Sequence, residues 1–228
     1  MKTAAINSKT LDLDILWRNT QLSHRKRNVA RYDLSKRAMD ILLTVPLAVL
    51  IGPLLIILSI IIKLESEGPV FFVQRRTGKW GRRFGMLKLR TMVNDAEKLK
   101  HEFKHLNKLS YPDFKIEDDP RITRIGKFLR KTSLDELPQL INVIKGDMSL
   151  VGPRPTSFPM EHYSLWHTAR LEVIPGITGI WQISGRSNIE FDDRSRLDVK
   201  YIRNRSIALD VKILMLTLGS VINKDGAF

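Results

Sequence analysis

The chain has 228 residues, with 38 lysines and arginines against 24 acids, giving a net charge of +14 at neutral pH. It contains no cysteine, which excludes a disulfide framework, a cysteine-ligated zinc and a thiol nucleophile. A hydrophobic content of 43% excludes a disordered chain, and the charge predicts an acidic partner: nucleic acid, an anionic membrane face or a phosphorylated substrate.

Residues 1–35 are polar and basic without a sustained period, and read as a surface arm. Positions 41 to 62 then run for 22 residues without a charge. That is about 33 Å of helix, enough to cross a hydrocarbon core of roughly 30 Å. Only Thr44 and Ser59 interrupt the apolar run, so no polar stripe marks it as a soluble helix. The run is too long for the core of a leader peptide, and Lys63-Leu64-Glu65 follows it in place of a cleavage site. It is flanked by Arg25, Lys26, Arg27, Arg31, Lys36 and Arg37 before, and by Arg75, Arg76, Lys79, Arg82, Arg83, Lys88 and Arg90 after. Basic flanks stay cytoplasmic, so a simple span would put one cluster on the wrong side. Pro46 and the pair Gly52-Pro53 remove backbone hydrogen bonds and favour a bend. These features predict a re-entrant membrane helix over residues 36–63, broken near Gly52-Pro53 and leaving by the face it entered. An ordinary kinked span is the alternative.

Residues 64–228 are expected to form one α/β domain, mostly helical with a small sheet, lying on the cytoplasmic side. Positions 68–74 and 86–92 read as strands, 93–110 as an exposed charged helix, and 122–129 and 137–144 as helices. Residues 151–155, 174–179 and 184–187 are rich in proline or glycine and read as loops. A final amphipathic stretch at 209–222 suits packing on the core or lying on a membrane surface.

Ser133-x-x-Glu136 has the spacing of a capping box, which assigns Asp135-Glu136 to the acidic first turn of a helix. The same position prepares a reactive carboxylate. An aspartate at a helix start near Arg130 and Lys131 is held ionised and can attack phosphorus, and paired carboxylates can share Mg²⁺ with substrate phosphate. Arg154 stands between two prolines in Val151-Gly-Pro-Arg-Pro155, a fixed presentation suited to phosphate oxygens or to a protein carboxylate. Pro175-Gly-Ile-Thr-Gly-Ile-Trp-Gln-Ile-Ser-Gly-Arg186 is a glycine-punctuated loop whose Trp181 or Arg186 could meet a base or diphosphate. The basic stripe 74–90 offers only Trp80 and Phe84 for stacking, so anionic lipid explains it better than nucleic acid. His24, His101, His105, His162 and His167 form no HExxH motif and read as solvated.

An ordered series carries a resemblance: Lys36-Arg-x-x-Asp40, Gly68-Pro-Val-Phe-Phe-Val-Gln-x-Arg76, Lys88-Leu-Arg-Thr-Met92, Asp119-Pro-Arg-Ile-Thr-x-Ile-Gly126, the stretch around Asp135-Glu136, Asn142 through Pro155, and Pro175 through Arg186. From about residue 35 to 220 the chain resembles the bacterial sugar transferases, monotopic polyprenyl-phosphate hexose-1-phosphate transferases. The resemblance implies transfer of a sugar-1-phosphate from a UDP-sugar to undecaprenyl phosphate, with release of UMP, at the inner membrane. Glycan assembly of the exopolysaccharide, capsule or O-antigen kind would begin there. It implies Asp135 as nucleophile, Glu136 with Asp135 as holders of Mg²⁺, and Arg130, Arg154 and Arg90 as phosphate ligands. Trp181, Gln182 and Arg186 would line a nucleotide or sugar loop. Family members break the membrane helix at Ser-Pro, where this chain has Gly52-Pro53. The donor sugar is not specified; galactose or glucose is the expectation. Membrane phospholipids are expected partners, nucleic acid is not, and a homo-oligomer is left open.

Overall fold

The apolar run becomes part of one long helix in the computed structural model, which describes residues 26–100, 102, 103, 105, 107, 116, 118–184 and 190–222. Helix α1 extends from Lys26 to Glu65, so the described end of the expected arm is helical and residues 1–25 lie outside the described residues. The helix assignment continues through Pro46 and Pro53, so a bend at Gly52-Pro53 would be a kink within one helix and not a stretch of loop. Each proline removes one ladder hydrogen bond, and a 40-residue helix absorbs two such losses. The mean hydropathy of α1 reaches 2.9 over an 18-residue window, yet only 11% of that window is buried. A helix so apolar and so exposed is not the core helix of a soluble domain.

One stripe of α1 faces the rest of the protein. Asp40, Thr44, Ala48, Ile51, Leu55, Leu58 and Ile62 recur every three or four residues and are buried or packed against the core. Leu42, Leu50, Ile56, Ile57 and Ile60 point elsewhere and are more than half exposed. Both ends of the uncharged run are therefore seated on the same body.

The rest of the chain is mostly helical with two small sheets. Strands β1 (Phe71–Thr77) and β2 (Arg83–Leu89) form an antiparallel hairpin in which Phe72 faces Lys88, Gln74 faces Met86 and Arg76 faces Phe84. Directly opposed residues share a sheet face, so Gln74, Arg76, Phe84, Met86 and Lys88 all lie on one side. Helix α2 (Arg124–Lys131) starts at Thr123, whose hydroxyl accepts from Gly126 N at 2.9 Å. A side chain at Gly126 would strike the Thr91 carbonyl, 2.0 Å from an added Cβ. A 3-10 turn at Leu134–Glu136 leads into α3 (Gln139–Lys145), which Gly146 ends in the left-handed region at φ 88°. Strand β3 (Ser149–Val151) pairs in parallel with β4 (Gly176–Thr178), so part of the expected loop 174–179 is strand. Helices α4 (Ile180–Ile183), α5 (Phe191–Asn204) and α6 (Ile207–Ile222) complete the chain.

The main core joins Phe84 and Met86 of the hairpin to Leu140 and Val143 of α3, Leu150 and Val151 of β3, Tyr201 of α5 and Ile213 of α6. A second cluster places Leu58 and Ile62 of α1 against Leu89 and Leu129. The expected helix over 93–110 is absent among the described residues, which form turns and a short 3-10 segment, Lys98–Lys100.

Candidate active site

Asp135 and Glu136 sit on the short turn before α3, and two neighbouring elements fix where that turn can be. Asn142, one turn into α3, completes the outer edge of β2: its Nδ2 donates to Gly85 O at 2.8 Å and its Oδ1 accepts from Leu87 N at 2.9 Å. The amide thus imitates a third strand and locks α3 against the hairpin. Ser133 adopts the left-handed conformation at φ 57° and makes no capping bond, so the expected capping box does not form. Glu136, freed from a cap, turns its carboxylate to cations.

Those cations are Arg154 and Lys88. Arg154 embraces Glu136 as a two-pronged fork, with Nη2 on Oε1 and Nη1 on Oε2 at 3.1 Å. Lys88 Nζ lies 3.1 Å from the same Oε1 and 3.5 Å from Asp135 Oδ2. Both alternatives left open for Arg154 are thereby narrowed: it does pair with a protein carboxylate, and it does so beside the candidate nucleophile. Although part-buried, Glu136 is held well below the usual carboxylate range, because Arg154 and Lys88 outweigh its desolvation. Asp135 behaves differently. It is only 7% exposed, and burial pushes its pKa up, opposed chiefly by Lys88 and also by Arg130 and Arg154. Two adjacent carboxylates with divergent environments is the pattern by which sites divide roles.

The loop bearing Arg154 is itself rigid. Gly152 N donates to Thr178 O at 2.8 Å and Gly176 N to Pro153 O at 2.9 Å. A Cβ at Gly176 would lie 2.1 Å from Gly152 N, so the two segments meet only because glycine is there. Arg170, in a buried ion pair with Asp198 at 2.6 Å, also donates to the Arg154 carbonyl at 2.9 Å. These contacts hold the guanidinium in direction.

The remaining expected site residues divide. Arg130 Nε donates to Thr91 Oγ1 at 2.9 Å and acts on Asp135 through charge without an ion pair to the dyad. Arg90 is turned away: it is 7% exposed and donates to the carbonyls of Glu67 and Ser66, both at 2.6 Å. It closes the end of α1, which corrects its expected place at a phosphate. Trp181 is half-buried on α4 with Arg194 5.4 Å from its ring centre. Gln182 Nε2 donates to Ile177 O at 2.7 Å, the carbonyl that also accepts from Arg154 Nη1 at 3.4 Å. Arg186 lies outside the described residues.

Sequence reasoning assigned Lys88 and Arg76 to a lipid-facing stripe, and the structure corrects this. Lys88 joins the dyad, and Arg76 reaches the Arg154 loop through Pro155 O at 3.2 Å. The signal was present, because Lys88 lies on the β2 face shared by the buried Phe84 and Met86. His167, expected to be solvated, is buried between Trp166 and Phe191 and bonds Asp192 at 2.9 Å; His24 and His101 lie outside the described residues.

Among the described residues no cluster of three metal-ligating side chains occurs. The dyad nevertheless fits Mg²⁺ of the sparse kind, which takes one or two carboxylates and fills its shell with phosphate and water. Asp135 Oδ1 accepts no hydrogen bond among the described residues, and Glu136 Oε2 carries a single donor.

The family model described as bacterial sugar transferase matches residues 31–224. The chain is 53% identical over 165 residues to a galactosyl transferase of Streptococcus agalactiae, a match covering 72% of this chain and 37% of that protein. It is 38% identical over 200 residues to the exopolysaccharide production protein ExoY of Sinorhizobium fredii, covering 86% and 88%. It is 40% identical over 198 residues to an undecaprenyl-phosphate galactose phosphotransferase of Salmonella typhimurium, covering 85% and 41%. The chain thus spans well under half of two of these relatives and most of the third.

Proposed function

Because the chain belongs to the bacterial sugar transferase family, we propose that it moves a hexose-1-phosphate from a UDP-sugar to undecaprenyl phosphate at the cytoplasmic face of the inner membrane, initiating glycan assembly. The observation that carries this reading is the buried Asp135 beside a Glu136 clamped by Arg154 and Lys88.

Asp135 attacks the β-phosphorus of the donor. The bond from that phosphorus to the bridging oxygen breaks, and UMP leaves with the oxygen and its electron pair. An oxygen of undecaprenyl phosphate then attacks the same phosphorus, and the bond to Asp135 breaks, restoring the carboxylate and yielding the undecaprenyl diphosphate sugar. Arg154 and Lys88 neutralise charge that builds on the phosphoryl oxygens, the largest electrostatic demand of such a transfer. Mg²⁺, held by Asp135 and Glu136, would add to that neutralisation. The names of relatives, which include galactose and glucose phosphotransferases, favour UDP-galactose or UDP-glucose as donor.

The test is a purified full-length chain incubated with UDP-galactose or UDP-glucose carrying ³²P in the β-phosphate, without acceptor. Label should appear on the protein, and undecaprenyl phosphate should chase it into lipid. Turnover without any labelled protein would replace the two-step route with a direct displacement.

For topology, the reading is a monotopic anchor whose two ends lie on one face of the bilayer. It is supported by the packed stripe of α1 and by basic residues at both ends. The natural chain has no cysteine, so Ala30→Cys and Arg82→Cys give clean probes. Both should react with an impermeant maleimide from the cytoplasmic side only; labelling from opposite sides would mean a span.

A further inference from the structure

Arg76 is a half-buried cation without an acid of its own. Its Nε and Nη2 donate to Gln74 Oε1 at 3.0 and 2.6 Å, and Nη1 donates to Pro155 O. All of these acceptors are neutral. No carboxylate lies within ion-pair reach of it among the described residues, and Glu136, whose charge acts on it, is already held by Arg154 and Lys88. Arg154 and Arg83 repel its charge, and Glu136 offsets them only in part. Arg83 too is bonded only to neutral oxygens, those of Thr77, Arg75 and Ser157. Burial and these neighbours pull the Arg76 guanidinium down to about 10. Taking a cation out of water beside two others is costly unless an anion completes the site.

The position says which anion. Hairpin register puts Arg76 and Lys88 on the same face of the sheet; Lys88 meets Glu136, the partner of Arg154, and Arg76 meets the Arg154 loop at Pro155 O. Lys88, which reaches Asp135, stands opposite Phe72, and Arg76 lies four residues further along β1, about 13 Å away at ~3.4 Å per residue, so Arg76 stands farther along the sheet from the nucleophile than Lys88 does. In-line displacement puts the leaving oxygen opposite the attacking carboxylate. The geometry points to Arg76, oriented by Gln74, as the site for the α-phosphate of the nucleotide, the group that departs as UMP. This inference rests on the transferase reading above and adds to it a residue and a ligand group. Arg76 thereby becomes a binding residue for the leaving nucleotide, with Gln74 positioning its fork.

The test uses the full-length chain in detergent and two probes, UMP and uridine, measured by calorimetry. Arg76→Gln should weaken UMP binding by about 10- to 100-fold, the range of a charge-assisted bond, and leave any uridine binding unchanged. Arg76→Lys, which keeps the charge and loses the fork, should fall between. In turnover, KM for the UDP-sugar should rise more than kcat falls. Thermal melting of each variant checks its fold; if Arg76→Gln does not fold, Gln74→Leu, which removes only the positioning amide, should still weaken UMP and not uridine. Equal UMP affinity in folded variants and wild type, or no UMP binding by wild type, overturns the inference. Wild type that binds UMP through Arg76 yet releases none from any UDP-sugar leaves the phosphate site standing and removes the transferase reading.

Discussion

Asp135→Asn should abolish phosphoryl transfer, lowering kcat by about 10⁴-fold or more, the scale seen when a nucleophile is lost, while leaving the melting temperature unchanged or raised. The two effects have one source. Burial raises the pKa of Asp135, so the folded chain binds its proton more readily than the unfolded chain does. Its ionised form therefore detracts from stability, increasingly so as the pH rises through the unfolded and then the folded value. An asparagine of the same shape removes that burden together with the nucleophile. The same shift fixes the sign of the pH response: wild-type activity should fall on the acid side as Asp135 protonates, at a pH above the ordinary aspartate range. Activity of the variant above a few percent of wild type, or a collapse of its melting curve, would remove Asp135 from the chemistry or give it a structural duty.

Arg154→Ala should be costly in both currencies. One preorganised cation aimed at the reacting phosphoryl group is worth about 10²- to 10³-fold in kcat/KM. The variant also leaves Glu136 with Lys88 as its only ion-pair partner among the described residues, and removing one partner of a part-buried pair costs on the order of 1–3 kcal/mol after allowance for solvent. Adding Glu136→Gln should recover much of the stability and none of the rate, because the orphaned charge goes while the missing guanidinium stays missing. A double variant as active as Glu136→Gln alone would show that Arg154 serves only to hold its neighbour.

The dyad, Arg154, α2, α3 and α6 were legible because each has a local signature: an acid pair before an apolar period, an arginine between prolines, a run of spaced apolar residues. Lys88 was misread because charge was counted along the chain, whereas a strand sorts residues by face. Counted in steps of two from Phe84 and Met86, the lysine falls on the buried side. Ser133 failed as a cap for the opposite reason: a matching pattern says nothing about backbone sign, and its left-handed conformation turns the hydroxyl away from the turn it should close. Strand β4 was hidden by Gly176 at its start and Gly179 just after it, which look like loop until their close approach to Gly152 is seen. Arg170 and Asp198 were not legible at all, since their pairing joins positions 28 apart across two elements.

Asp210 has 0% of its surface exposed, and it receives Tyr32 at 2.8 Å and Lys36 at 3.0 Å from α1 and Tyr201 at 2.7 Å from α5. At the far end of the same helix, Leu58 and Ile62 form one wall of the second core. Lifting α1 away would strand a buried carboxylate and open that wall, so anchor and enzyme fold and fail together. A protein whose tether is a detachable tail can be regulated by proteolytic shedding or by cycling between membrane and cytosol. Here the apolar helix is part of the packed body, so cutting it from the domain would unmake the fold instead of freeing a soluble enzyme.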